Sequence, residues 1–402
     1  MPILLIAIVA MLVQQTIASA AKVGLPALFP ALAEELNFDA EYVLVYTWIY
    51  AVVGVVVMMG CGGAIRRWGA LRTSQAGCVL MAAGLSTAAI LANPWFVVPA
   101  LGLAAILNST GTMVATPASS QILARYAPPK WAPLVFSIKQ TGVPAGIAIA
   151  GIILAPLAVT YGWRAAALGL AGVCLVVGLL LQPMRAEFDQ DRDPNARPHA
   201  RDFTSSVREV LAKWELRGLA LGCFTFVGMQ TLFTDFTITY LHETLNYDLA
   251  TAGATLGIAT LMAVPARIFW GWIGSTVIKP RHLLAGMALI MAISTTAMGA
   301  FDESWSQHAV LAVTAAVSLS VLSWHGVLLS ETARLAPAGE AGRVTGGVLA
   351  FGAAGQIVFP LLFGLGHLVG GYAVAFAAIG APAVLVGLVL LMPDRTPASG
   401  ST

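Results

Sequence analysis

The sequence predicts an all-α integral membrane protein whose twelve transmembrane helices form two six-helix, pseudo-symmetric bundles. Three observations predict this class: a high apolar content, apolar segments long enough to cross a bilayer, and an internal repeat. Of the 402 residues, 58% are hydrophobic and only 10% are charged, whereas soluble proteins carry about 25% charged residues. A bilayer core of about 30 Å is crossed by roughly 20 apolar residues in a helix, and such segments recur along the whole chain.

The predicted spans are joined by short turns such as Asn93-Pro94 and Tyr161-Gly162. They cover residues 3–30, 41–61, 72–92, 95–123, 132–158, 163–183, 216–240, 250–273, 282–301, 307–334, 344–368 and 371–392. The polar stretch 184–215 contains proline and both signs of charge, which predicts a linker with a surface helix in its second part. We therefore expect an N-terminal six-helix bundle at 1–183, a cytoplasmic linker at 184–215, a C-terminal six-helix bundle at 216–393 and a cytoplasmic tail at 394–402.

The two halves match without a gap at an offset of 209 residues. Leu36-Asn37-Phe38-Asp39 returns as Leu245-Asn246-Tyr247-Asp248, and Ala124-Arg125 returns as Ala333-Arg334. Three glycines, 62, 146 and 162, match glycines at 271, 355 and 371. A constant offset along most of the two halves is not a chance match. Parallel six-helix halves with a site between them are typical of secondary transporters.

The basic residues predict the orientation. All of the 21 lysines and arginines except Lys22, Lys139, Arg164 and Arg267 belong to one side of the predicted membrane. The loops of the other side carry acidic residues and Arg164 alone among basic ones. Cytoplasmic loops are enriched in lysine and arginine, so we expect both termini to be cytoplasmic in a multi-pass protein of a bacterial-type inner (plasma) membrane.

Lys139 is the most informative polar residue, because it lies about 10 Å inside the fifth span at 1.5 Å per residue. A charge at that depth costs roughly 2.5–3.5 kcal/mol and usually has a partner or a function. Gly142 and Gly146 follow at i+3 and i+7, so they predict a face without bulk that leaves room for a ligand. The alternative is helix packing through small residues, Gly151 included, with the lysine extended to the interface.

Two further cations have a binding and a structural interpretation. Arg267 lies one turn from the predicted cytoplasmic end of the eighth span, where it either anchors the helix or holds a carboxylate with its planar fork. Lys22 in the first span and Asp235 in the seventh are opposite charges toward the periplasmic side. They either meet and guard that side or extend outward separately. Lys22 is also a candidate substrate-binding residue.

Other intramembrane polar residues leave similar alternatives open. His325 and Asp235 are candidates to carry a proton, although a neutral histidine hydrogen-bonded to a neighbouring helix fits the same pattern. Glu331 is a candidate gating residue or a local partner of Arg334 at i+3. The remaining candidates line a cavity or form interhelical hydrogen bonds: Asn108, Gln140, Gln230 and Gln356.

The sequence resembles the major facilitator superfamily along its whole length. The stretch Gly62-Gly63-Ala64-Ile65-Arg66-Arg67-Trp68-Gly69 is similar to the superfamily's G-x-x-x-D-R-x-G loop, with Arg66 at the aspartate position. Lys139, followed by the pattern at 146–151, resembles the K-x6-G-x-A-x-A-G of monocarboxylate transporters, and Ala266-Arg267 with Gly271 resembles their A-R-x-x-x-G. This resemblance implies the twelve-helix fold and a carboxylate-binding role for Arg267. Ala263 stands where that family has an aspartate.

We therefore expect a secondary active transporter of small organic anions, most simply carboxylates, that works by alternating access as a proton symporter or an anion exchanger. Lys139 and Arg267 would bind the carboxylate. The alternative is a proton-coupled exporter of drugs or metabolites, since Gly142, Pro144 and Gly146 resemble the fifth helix of antiporters; the R-x-x-Q-G pattern of such exporters is missing from the fourth span.

An enzyme is not expected. The six histidines fall in separate segments without metal-ligand spacing, and the four cysteines show no CxxC. We expect no cofactor and no nucleic-acid partner. The expected form is a monomer in a lipid bilayer that carries a small organic anion, with or without a proton.

Overall fold

The computed structural model describes residues 2–37, 42–196 and 201–392; the predicted tail at 394–402 lies outside these ranges. Within them the secondary structure is helical throughout, and eleven helices are long and apolar enough to cross a membrane. The last of the eleven, Ala341–Leu391, is two helices joined at Gly370 and Gly371, whose backbone is not helical. The predicted all-α fold with twelve transmembrane helices is therefore confirmed.

We number the twelve transmembrane helices in chain order. In the first half they are α1 Pro2–Leu36, α2 Tyr42–Trp68, α3 Ala70–Leu91, α4 Val97–Tyr126, α5 Pro129–Tyr161 and α6 Trp163–Leu180. In the second half they are α7 Trp214–Leu245, α8 Leu249–Thr276, α9 Pro280–Met298, α10 Gln307–Leu335, α11 at 341–369 and α12 at 372–391. The linker contains the short helix Arg201–Ala212, as expected from its sequence.

Two helix ends differ from the prediction. α1 was expected to end at residue 30 but continues to Leu36, with Pro30 inside the helix. The helix ends where Asn37 adopts a φ of 51°. α2 was expected to end at residue 61 but continues to Trp68, so residues 62–68 of the motif-like stretch are helical. The turn is made by Gly69, whose φ of 96° favours glycine.

The repeat is visible in the backbone as well as in the sequence. Asn37 and Asn246, 209 residues apart, both adopt left-handed φ values, 51° and 52°. Asparagine tolerates this conformation better than most residues. α4 is interrupted at Val114 and α10 between residues 321 and 325, and 114 plus 209 is 323. Helix ends and helix breaks therefore follow the same offset as the side chains.

The contacts divide the chain into two compact units. Unit 1 comprises residues 1–128, 138–206 and 336–350, and unit 2 comprises 129–137, 207–335 and 351–402. Each unit thus includes a short segment from the other half of the sequence. The segment 129–137 shifted by 209 is 338–346, so the two exchanged segments correspond to each other in the repeat.

Within unit 1, the chain after α6 folds back onto the start of α3. The Asp189 carboxylate accepts hydrogen bonds from the backbone N–H groups of Leu71 at 2.7 Å and Arg72 at 3.1 Å. Burial raises the pKa of this carboxyl, while those N–H groups and Arg185 at 3.6 Å partly offset the effect. Asp189 therefore brings an acidic side chain to the junction of α2 and α3, next to the stretch in which Arg66 stands at the aspartate position of the resembled motif.

A glutamine holds the segment 336–350 within unit 1. Gln121 of α4 accepts a hydrogen bond from the N–H of Gly342 at 2.9 Å and donates one to the carbonyl of Gly339 at 2.8 Å. Its amide nitrogen is also 2.8 Å from the Asp191 carboxylate. The first N–H groups of a helix have no partner inside the helix, so Gln121 satisfies one of those at the start of α11.

Candidate functional site

The Lys139 side chain points into unit 1 and is only 1% exposed. Its ammonium nitrogen donates to the side-chain oxygen of Gln15 at 2.6 Å and to that of Gln140 at 3.3 Å. Among the residues that the structure describes, no ion pair involves Lys139. The side chain therefore does not reach the surface, and its ammonium group donates its hydrogen bonds to neutral amide oxygens.

Gln15 joins three helices at this point. Its side-chain oxygen also accepts the hydroxyl of Thr116 on α4 at 3.0 Å, and its nitrogen donates to Ser19 at 3.4 Å. The oxygen of one residue on α1 thus receives donors from α4 and α5. Because both donors converge on that oxygen, the position is suited to an acceptor richer in negative charge than an amide.

Small residues bring α5 close enough for this contact. A methyl group at Gly142 would lie 2.8 Å from the carbonyl oxygen of Leu12, and one at Gly146 would collide with that of Thr16. Helix backbones approach closely where such residues face each other. The free space predicted beside these glycines is therefore occupied by α1, which corrects that expectation. Gly151 differs, because a methyl group there would contact nothing within 4 Å.

A polar row continues from this network along α4. Asn108 and Thr112 are spaced by four residues, which places them on one helix face, and Thr116 follows four residues later, after the interruption at Val114. Asn108 is fully buried and donates to the carbonyl of Ala21 at 2.8 Å and to the Tyr46 hydroxyl at 3.0 Å. The Thr112 hydroxyl contacts that of Tyr50. Lys139 therefore adjoins one end of a line of hydroxyl and amide groups inside an apolar unit.

Arg267 lies in unit 2 on α8 and is 4% exposed. The neighbouring turns of α8 are fixed to α10 by hydrogen bonds from Ser318 to the carbonyl of Ala259 at 2.7 Å and from Ser323 to that of Ala263 at 3.3 Å. This burial differs from the exposed position expected of an interfacial anchor. The guanidinium is therefore a second cation enclosed by the protein.

The other predicted site residues of unit 2 differ from one another in their neighbours and in their exposure. The His325 ring stacks on that of Trp324, with centroids 3.7 Å apart. Both carboxylate oxygens of Glu331 bind Arg334, at 2.7 and 2.8 Å, so this acid forms the local pair. Asp235 is exposed and accepts the Thr234 hydroxyl at 2.8 Å. Gln230 and Gln356 are half-buried.

Of the predicted site residues, the structure brings Lys139 and Gln140 into direct contact. Lys22 is exposed on α1, and its pairing with Asp235 stays a prediction. The sequence reasoning missed the partners that complete the site: Gln15, Thr116, Tyr46, Tyr50 and Thr112. The signal was present for Gln15, since a glutamine in an apolar span requires a hydrogen-bonding partner for the same reason that Lys139 does.

Comparisons with known proteins identify the family and agree with the twelve-helix fold. A family model described as "Major Facilitator Superfamily" matches residues 3–346. Two strain versions of the "Probable nitrate/nitrite transporter NarK2" of Mycobacterium tuberculosis are each 34% identical to the chain over 175 residues. That region is 42% of this chain and 42% of the relative, so less than half of each curated relative is matched.

Solved structures resemble almost the whole chain. The fucose:proton symporter FucP of E. coli has a TM-score of 0.77 and 16% identity, and covers 96% of this chain and 98% of its own. The human organic anion transporter MFSD10 has a TM-score of 0.75 and 15% identity, with the same coverage of 96% and 98%. At these identities the likeness shows the fold alone.

Proposed function

Since the chain belongs to the Major Facilitator Superfamily and is a membrane transporter rather than an enzyme, we propose that it carries a small planar oxyanion. Carboxylates and the nitrate and nitrite anions share this chemistry, because each presents two or three equivalent oxygens in a plane. The single observation that carries the proposal is the Lys139 ammonium, buried to 1% exposure among neutral acceptors.

Electrostatics supports this cargo. An ammonium removed from water has lost its hydration, and amide oxygens restore only part of that free energy. An anion brought beside it regains more, since two opposite unit charges attract strongly where water is excluded. Arg267 adds a buried guanidinium, whose fork matches two oxygens of a planar oxyanion. The two Mycobacterium relatives, named as probable nitrate/nitrite transporters, give independent support for an anionic cargo.

Binding by the purified protein tests the proposal. We expect sodium nitrate, nitrite, acetate or lactate to raise the thermal unfolding temperature, because a ligand at 100 times its Kd stabilises the folded state by about 2.7 kcal/mol. Sodium chloride at equal ionic strength controls for salt, and acetamide is a neutral control of the same shape as acetate. The proposal fails if none of the four oxyanions stabilises the protein beyond the two controls.

The basic side of the protein is proposed to be cytoplasmic, and this orientation yields a labelling prediction. The four native cysteines are buried, so we expect them to react little with a thiol reagent, and labelling reports on the new cysteines. We expect Ser304→Cys, in the exposed loop before α10, to react with an impermeant thiol reagent added to intact cells. Asn195→Cys, exposed in the linker, should react only after permeabilisation. The reverse pattern would invert the proposed topology.

Transport is proposed to follow alternating access, coupled either to a proton or to exchange for a second anion. His325 and Asp235 remain the proposed proton carriers. Proteoliposome uptake with and without an imposed pH gradient separates the two couplings.

A further inference from the structure

The Lys139 ammonium already donates a hydrogen bond to a carbonyl-type oxygen, the same kind of acceptor atom that a carboxylate or nitrate would offer. The Gln15 side-chain oxygen lies 2.6 Å from the lysine nitrogen and 3.0 Å from the Thr116 hydroxyl. Gln15 is 6% exposed and comes from a different helix, α1. A single acceptor atom thus receives a cationic donor and a hydroxyl donor in an enclosed place.

We propose that Gln15 occupies the anion's position at Lys139, and that the cargo binds by displacing the Gln15 oxygen from the ammonium. In the loaded protein, an oxygen of the anion takes over the hydrogen bonds from Lys139 and Thr116. This inference rests on the proposed function, because it requires an anion at Lys139. It assigns Gln15 the role of a specificity-determining residue.

Burial supports displacement rather than simple addition. With Lys139 1% exposed, a ligand reaches its nitrogen only if a group that now covers it moves. Gln140 is its neighbour in the chain, and its oxygen is farther away, at 3.3 Å. Gln15 makes the shorter contact from another helix, so a rotation of its side chain alone frees the strongest hydrogen bond of the ammonium.

The charge of a ligand determines whether its oxygen displaces the Gln15 oxygen from the Lys139 ammonium. An amide oxygen is neutral, so an anion outcompetes it for the ammonium, whereas a neutral solute offers no stronger acceptor than the one already in place. Gln15 therefore selects anions over neutral molecules of similar shape. A carboxylate at position 15 would form a lasting ion pair with Lys139 and would exclude the anion.

Gln15→Ala and Gln15→Glu test this role in opposite directions. With Kd measured by calorimetry for sodium nitrate and sodium acetate, Gln15→Ala should tighten binding about 3- to 30-fold, because the internal competitor is gone. Gln15→Glu should weaken binding by about 100-fold or more without lowering the thermal stability of the unliganded protein, because the new ion pair replaces the amide contact. Gln14→Ala, one residue earlier on α1 and also buried, is the matched control and should bind as the parent does.

Lys139→Ala, measured beside these variants, distinguishes failure of the proposed displacement from failure of the proposed function. Loss of binding in Lys139→Ala with unchanged affinity in both Gln15 variants would overturn the displacement and leave the proposed function standing. Weaker binding in Gln15→Ala would show that Gln15 is a ligand of the anion rather than its competitor. Retained binding in Lys139→Ala, or no binding of either salt by the parent, overturns the proposed function itself. If Gln15→Glu does not fold, Gln15→Ala and Gln15→Met decide, since both should tighten binding.

Discussion

Lys139→Ala is expected to weaken anion binding by roughly 10- to 150-fold. The charge-assisted hydrogen bond that it removes is worth about 1.5–3 kcal/mol, and each 1.4 kcal/mol is tenfold in Kd. Thermal stability without anion should change little, because alanine removes two hydrogen bonds to amide oxygens, of which the Gln15 oxygen keeps its Thr116 donor, but also removes the desolvation cost of a buried charge. Isothermal calorimetry on the purified variant, or uptake into proteoliposomes, gives the affinity.

Lys139→Arg and Lys130→Ala make this result specific. Arginine keeps the charge, but the Gln15 oxygen is already 2.6 Å from the lysine nitrogen and α1 packs tightly on Gly142 and Gly146, so the larger head should restore affinity only in part. Lys130 is exposed near the start of α5, over the ring of Trp131 at 5.5 Å. Lys130→Ala should therefore leave binding unchanged. Equal affinities in Lys139→Ala and the parent would make Lys139 a structural residue.

The fold was predictable because two of its determinants, apolar length and the internal repeat, can be recognised in the sequence. Apolar length fixes which segments cross a bilayer, and the repeat at 209 residues pairs the halves helix by helix. The helix ends were less predictable. Pro30 and Gly62 both favour termination in the sequence, but each lies within a continuous helix, while the ends are set at Asn37 and Gly69 by backbones of positive φ.

The site was predictable in its charge and not in its partners. The depth of Lys139 follows from its distance to the helix end, and the glycines at i+3 and i+7 indicate a closely packed face. Which helix fills that face depends on contacts between residues more than 120 positions apart, such as Gln15 and Lys139. Periodicity within a single helix carries no information about those contacts, so the space was interpreted as room for a ligand when α1 occupies it.

Arg267→Lys is the change that best tests whether the second cation binds the cargo through its shape as well as its charge. Lysine preserves the charge at a site with 4% exposure but replaces a planar fork by a single ammonium. If the guanidinium grips two oxygens of a planar oxyanion, Arg267→Lys should lose one of two hydrogen bonds and weaken binding about 10-fold, whereas Arg267→Ala should weaken it by roughly 10- to 150-fold.

The matched control for Arg267 is Arg281, which is buried to 8% exposure in the same unit and donates to the carbonyl of Val389 at 3.3 Å. Arg281→Lys should leave the Kd for nitrate and acetate unchanged, because that arginine satisfies a helix carbonyl. If Arg267 serves stability alone, the result is different: Arg267→Lys and Arg281→Lys lower the unfolding temperature alike, and neither changes the affinity for the anion. Affinity and unfolding temperature measured on the same samples therefore distinguish an arginine that holds the anion from one that holds the fold.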